Sequence, residues 1–345
     1  MTKISEKIMK EDPLTIDVWR GNMVESCHLV HAVVTDADGG ILKKWGNIED
    51  PVYLRSAIKP VQALPLVESG AADAFNVSER ELSLACASHT GEDIHAIAVE
   101  KWLDRIGLSI EALECGSHWP TYRAAERAMA AAGKEPTAAN NNCSGKHSGF
   151  LTTALHLGDD PKGYVNLEHP VQQRIQKVLE EFTDLDLSNA PMGIDGCSIP
   201  TFGVPLKNAA MAIARFANPE KLGADRAAAC KRIQKAIATY PEMIAGSDRL
   251  CTALNGSAKG TVIAKVGAEG VYLAALPTLG LGVAMKTADG TVRGVEVALG
   301  SILDHLGLMT EEMQSAMGRF TTPVLENWNG IKVGKIVTHL DGSDL

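Results

Sequence analysis

HLVHAVVTDADGGILKKWGNIEDPVYLRSAIKPVQALPLVESG, residues 28–70, changes its period halfway along. In the first part Val30, Ala32 and Val34 alternate, and the Asp-rich, Gly-rich run from Asp36 to Gly40 supplies a turn. That reads as two strands joined by a hairpin. From Ser56 the spacing turns helical, with Ile58, Val61, Leu64 and Leu66 near one stripe and a glycine to end it.

Working outward, helical patterns follow at about 78–87, 92–106 (on Ile94, Ile97, Ala98 and Trp102), 121–132, 144–157, 170–183, 206–216 and 223–240. Beyond about residue 260 the period returns to two in TVIAKVG, GVYLAALP and LGVAMKT. A helix near 293–307 and a last strand in IKVGKIVTHL come after them. Strands at both ends around a helical middle, without strand–helix alternation, argue against a doubly wound parallel sheet. The expectation is an α/β chain of α+β type, residues 1–345 forming a single catalytic domain. An antiparallel sheet from about 15–50 and 260–345 is flanked by helices, with a helical lobe at about 56–255.

Composition narrows the function. The net charge is −9 and no basic stripe occurs, so neither nucleic acid nor an anionic membrane is an expected partner. MTKISEKIMKEDPLTIDVW holds no uninterrupted apolar run, and no later run is long enough to span a bilayer. The seven cysteines are odd in number and lack paired spacing, which suits reduced or metal-bound thiols in a cytoplasmic protein.

Four segments carry candidate chemistry. Ser56 and Lys59 stand three apart, so on a helix they share a face, and an amine of lowered pKa could deprotonate the hydroxyl. Arg55 before them adds positive charge. The same spacing also occurs on solvated helices. ACASHTGED (85–93) places Ser88 at a turn, where a plain capping role fits as well. NNNCSGKHSG (140–149) and DGCSIP (195–200) hold Cys143, Lys146, His147 and Cys197; by residue type Cys143, His147 and Cys197 could be soft zinc ligands, or the thiols could simply be buried. IAKVGAEG sets Lys265 on an apolar strand expected to be central, where lysine is costly unless paired or functional.

Taken together, LRSAIKP, CASHTGED, NCSGKHSG, DGCSIP, PEMIAGSDRLCT and AKVGAEG closely resemble, in order and context, the class 3 (rhizobial-type) L-asparaginases of the asparaginase II family. The resemblance runs from about residue 20 to 340. It implies a fold like that of serine β-lactamases and penicillin-binding proteins, a homodimer, and hydrolysis of L-asparagine to L-aspartate and ammonia. It also implies two serine–lysine tandems, Ser56 with Lys59 and Ser88 with Lys265, and a zinc site of Cys143, Lys146 and Cys197. Arg55, His147 and Asp195 fall in the same motifs as substrate-binding residues, with Asp195 suited to the α-ammonium and Arg55 to the carboxylate. The alternatives are a glutaminase, or a zinc-stabilised amino-acid-binding protein without turnover. Val266 in place of a threonine after Lys265, and no S-D-N motif, argue against a β-lactam substrate.

Overall fold

The computed structural model describes residues 12–340. Most of the N-terminal stretch read above for an apolar run therefore lies outside the described residues. The strands are β1 Leu14–Arg20, β2 Met23–Asp36, β3 Ile41–Trp45, β4 Pro51–Tyr53, β5 Met192–Ile194, β6 Pro200–Pro205, β7 Ile263–Val266, β8 Val271–Leu276, β9 Leu281–Thr287, β10 Val324–Glu326 and β11 Lys332–His339. β10-β11-β1-β2-β9-β8-β7 pair in that order, all antiparallel. β2 is long enough to pair with β1 along its first half and with β3 along its second. The sheet is thus drawn from both ends of the chain and flanked by helices, as the change of period predicts.

Helices cover both faces. Leu206–Ala217 packs so close that a Cβ on Gly282 would lie 2.2 Å from the Ala210 carbonyl, so only glycine fits there. On the opposite face, Val292–His305 brings Gly294 against Thr287 and His28. β8, VYLAAL, is buried at every position because neither of its faces meets water, which explains its unbroken apolar run. Among the described residues no helix is long and apolar enough to cross a membrane.

Several details differ from the sequence reading. The helix expected from Ser56 is a chain of short turns, Arg55–Ile58, Lys59–Gln62, Leu64–Glu68 and Ala71–Ala74. Pro60 and Pro65 each open a new turn because they cannot donate to the previous one. On Asp93–Arg105, Ile94 and Ile97 are exposed and His95, Ala96, Val99, Trp102 and Leu103 are buried. The stripe is rotated because buried His95 stacks on His89. A small sheet, β4-β6-β5, and a helix at Glu311–Thr321 were not expected. Two of those three strands span only three residues, and the helix buries little beyond Met313 and Met317.

Candidate functional site

Between the helical lobe and the β7 end of the sheet lies a cleft of about 370 Å³, walled by Arg55, Ser56, Ser88, Cys143, Asp195, Cys197 and Arg249 among others. Four segments far apart in sequence reach it. The turn before Lys59 brings Arg55 and Ser56; the end of Glu79–Ala85 leads to Ser88, whose N–H is fixed by Ile244 O at 2.9 Å. Cys143 is the N-cap of Ser144–Leu157, and Asp195 and Cys197 sit in the turn between β5 and β6.

Lys59 and Lys265 are almost wholly buried, at 1% exposure each, yet both amines reach the same hydroxyl. Ser88 Oγ stands 2.9 Å from Lys59 Nζ and 2.8 Å from Lys265 Nζ. Lys59 Nζ also donates to Ala87 O and, at 3.1 Å, to Cys143 Sγ; Lys265 Nζ donates to Val266 O at 2.7 Å. Burial first, and then the charge of Lys59, pushes the Lys265 amine down to about 7. The Ser56 hydroxyl has no hydrogen bond among the described residues, so Lys59 is bonded to the second serine and not to the first. Lys265 also departs from the expectation of a central strand. β7 ends the sheet, and its buried edge is covered by Leu250–Ala258 and the 54–57 turn. That turn passes Gly267 so closely that a Cβ there would lie 2.9 Å from Leu54 O.

Arg55 adopts a positive φ of 50° and binds Asp195, with Nε and Nη2 each 2.8 Å from Oδ1. The two residues assigned above to opposite ends of a substrate thus hold one another. Burial would raise the Asp195 carboxyl, but Lys146, Arg55 and the Gly196 N–H outweigh it and keep it below the ordinary range. His147 is fully buried, its Nδ1 2.8 Å from Tyr164 Oη, and its Nε2 has no partner among the described residues.

Cys143, Lys146 and Cys197 converge. Lys146 Nζ lies 3.1 Å from Cys197 Sγ. A hydrogen bond from Cys143 lowers the Cys197 thiol to about 5, against its burial, while the same bond and burial push Cys143 up to about 12. Among the described residues no group of three His, Cys, Asp or Glu side chains is placed to hold a metal ion. A zinc ion here would therefore take two sulfurs and the Lys146 amine. The donor set fits, since the sulfurs are soft and one of them already carries thiolate character. The amine would have to give up its proton to bind, and although burial favours that, Cys197 and Cys143 outweigh it and hold the amine above its ordinary range until the metal displaces the proton.

Arg249, within the PEMIAGSDRLCT motif, and His118, read from the sequence as a loop residue, were given no role of their own there, yet both share the cleft. His118 Nε2 accepts from the Asn142 N–H at 2.8 Å. Neither stands in a pattern that spacing could single out, because each reaches the cleft from a loop.

A family model described as L-asparaginase II matches residues 16–338. No curated protein matches the chain. Among solved structures, a β-lactamase from Mycobacterium bovis is 12% identical over 76% of this chain and 88% of its own, with a TM-score of 0.38. A β-lactamase described as putative, from Bacteroides dorei, is 13% identical over 81% and 85%, also at 0.38. The D-alanine carboxypeptidase AmpC of Burkholderia cenocepacia is 11% identical over 84% and 92%, at 0.35. Likenesses this distant carry no argument about chemistry.

Proposed function

Because the chain belongs to the L-asparaginase II family, we propose that it hydrolyses L-asparagine to L-aspartate and ammonia through a serine–lysine relay in this cleft. The observation that carries the reading is the buried chain Lys59–Ser88–Lys265 behind a wall that also presents Ser56.

Ser56 Oγ attacks the side-chain amide carbon and its proton passes to the Lys59 amine. As the Lys59 amine takes that proton it hands one on through the Ser88 hydroxyl to the neutral Lys265 amine, which burial depresses to about 7. The C–N bond of the tetrahedral adduct then breaks. The relay returns a proton to the departing nitrogen, and ammonia leaves. Water attacks the resulting ester, its proton follows the same path, and aspartate is released from Ser56. The missing Ser56–Lys59 hydrogen bond requires only that Ser56 turn toward Lys59 once substrate is bound, since catalytic contacts tighten in the complex. A second reading has one observation in its favour: Ser88, with an amine on either side, is itself the attacked hydroxyl.

Zinc on Cys143, Lys146 and Cys197 would supply a fixed positive charge that orients the polar groups of the substrate. The free thiols of all seven cysteines suit a reducing cytoplasm, and a homodimer completes the proposal.

Ammonia release from L-asparagine and L-glutamine, measured side by side, tests the reading. Release from asparagine with little from glutamine supports it, and preference for glutamine refutes it in favour of the longer amide. No release from either leaves the amino-acid-binding protein.

A further inference from the structure

The relay accounts for the amide, and Asp195, which holds Arg55 and the Gly196 N–H through Oδ1, keeps Oδ2 for the α-ammonium; Arg55 commits its Nε–Nη2 fork to Asp195 and leaves the α-carboxylate without a cation. We propose that Arg249 receives the α-carboxylate of the substrate and so restricts the cleft to free amino acids. The inference rests on the asparagine-hydrolysis reading and adds to it a residue that sets specificity.

Arg249 is half-buried and lines the cleft with Ser56, Ser88 and Asp195. Among the described residues its guanidinium makes no hydrogen bond and no ion pair. Its charge is felt by both Lys265 and Glu296. Burial pushes the Glu296 carboxyl up to about 7 in spite of Arg249, so this acid only partly neutralises the guanidinium. A half-buried cation with an open face toward a cleft is a site for an anion, and a guanidinium grips a carboxylate through two parallel bonds. Asp195 and the unengaged guanidinium of Arg249 match the two charges of an amino acid.

The loop that carries Arg249 is held rigidly. Glu92 accepts from Ser247 N and Ser247 Oγ, each at 2.8 Å, and Thr252 Oγ1 donates to Gly246 O at 2.6 Å. At Gly246 φ is +91°, and a Cβ would fall 2.1 Å from Thr90 Oγ1. The guanidinium is thus presented by a preorganised turn, which lowers the ordering cost of binding.

The test compares L-asparagine with L-aspartic acid diamide, in which the α-carboxylate is a carboxamide, on the wild type, Arg249→Ala and Arg249→Lys. The wild type is expected to favour asparagine in kcat/KM by about ten- to a hundredfold, the range for a charged hydrogen-bonded contact. Arg249→Ala loses that factor on asparagine, mainly through KM, and leaves the diamide unchanged; Arg249→Lys recovers part of it. An unchanged melting temperature excludes a folding defect. If Arg249→Ala slows both substrates equally, or the preference survives it, the proposal falls. Calorimetry with L-aspartate reads the site without turnover. A wild type that releases no ammonia refutes the hydrolase reading, whereas loss of aspartate binding in Arg249→Ala would still support the carboxylate site. Equal binding by both forms, or none by the wild type, overturns it.

Discussion

Replacing Lys265 by methionine removes the amine that burial holds near neutrality while keeping a flexible, unbranched side chain of comparable length in the same space. Two hydrogen bonds vanish, to Ser88 Oγ at 2.8 Å and to Val266 O at 2.7 Å. Ser88 keeps Lys59 as a partner, so the carbonyl of Val266 is the group left short, at a cost of roughly 1–3 kcal/mol. Against that stands the removed cost of burying an amine, so the melting temperature should move by only a few degrees, roughly. Activity should respond far more. Loss of a positioned proton acceptor lowers kcat by about 10²–10⁴-fold, with KM changed little. The pH profile gives the sharper readout. With its pKa depressed to about 7, the Lys265 amine is protonated below that pH and neutral above it. Wild-type kcat/KM should therefore fall by about tenfold per pH unit below pH 7 and level off above it. Steady-state ammonia release across pH 5–9 records the limb, and in Lys265→Met the limb near 7 should be absent. A variant that keeps the limb, or loses less than about tenfold in kcat, would refute the relay.

Other outcomes follow from the same geometry. Ser88→Ala should lower kcat by about 10²–10⁴-fold without raising KM, read by steady-state kinetics, because it cuts the link between the two lysines. Cys197→Ser should reduce zinc in purified protein from about one equivalent per chain to a small fraction, read by elemental analysis, because it replaces a soft thiolate donor. Gly246→Ala should destabilise the fold by about 1–3 kcal/mol from backbone strain alone, with a further contribution from its contact with Thr90, measured by denaturant titration.

The fold was legible because its strands and helices differ in period. Val30, Ala32 and Val34 alternate where β2 lies, and the helix at 170–183 is found at the bounds its pattern predicts. The short strands β4 and β5 were not legible, since three residues cannot display a period. In the site, the motifs announced which residues matter but not which touch. Ser56 and Lys59, three apart, are not hydrogen-bonded to one another, while Lys59 reaches Ser88 across 29 positions. Such a contact is decided by how the 54–59 turns pack against the end of Glu79–Ala85, which no local spacing encodes. Arg55 and Asp195 illustrate the same limit, as their opposite charges satisfy each other across 140 positions. Arg249 stood inside the PEMIAGSDRLCT motif, but a lone arginine in a loop shows no role until the cleft is seen around it.

The central claim is that a serine of this cleft becomes esterified during amide hydrolysis and that the serine is Ser56. Incubation with an electrophilic asparagine analogue, followed by intact-mass and peptide-mapping mass spectrometry, tests it most directly. One adduct per chain on Ser56, absent from Ser56→Ala, is the predicted result. An adduct on Ser88 that persists in Ser56→Ala would contradict it.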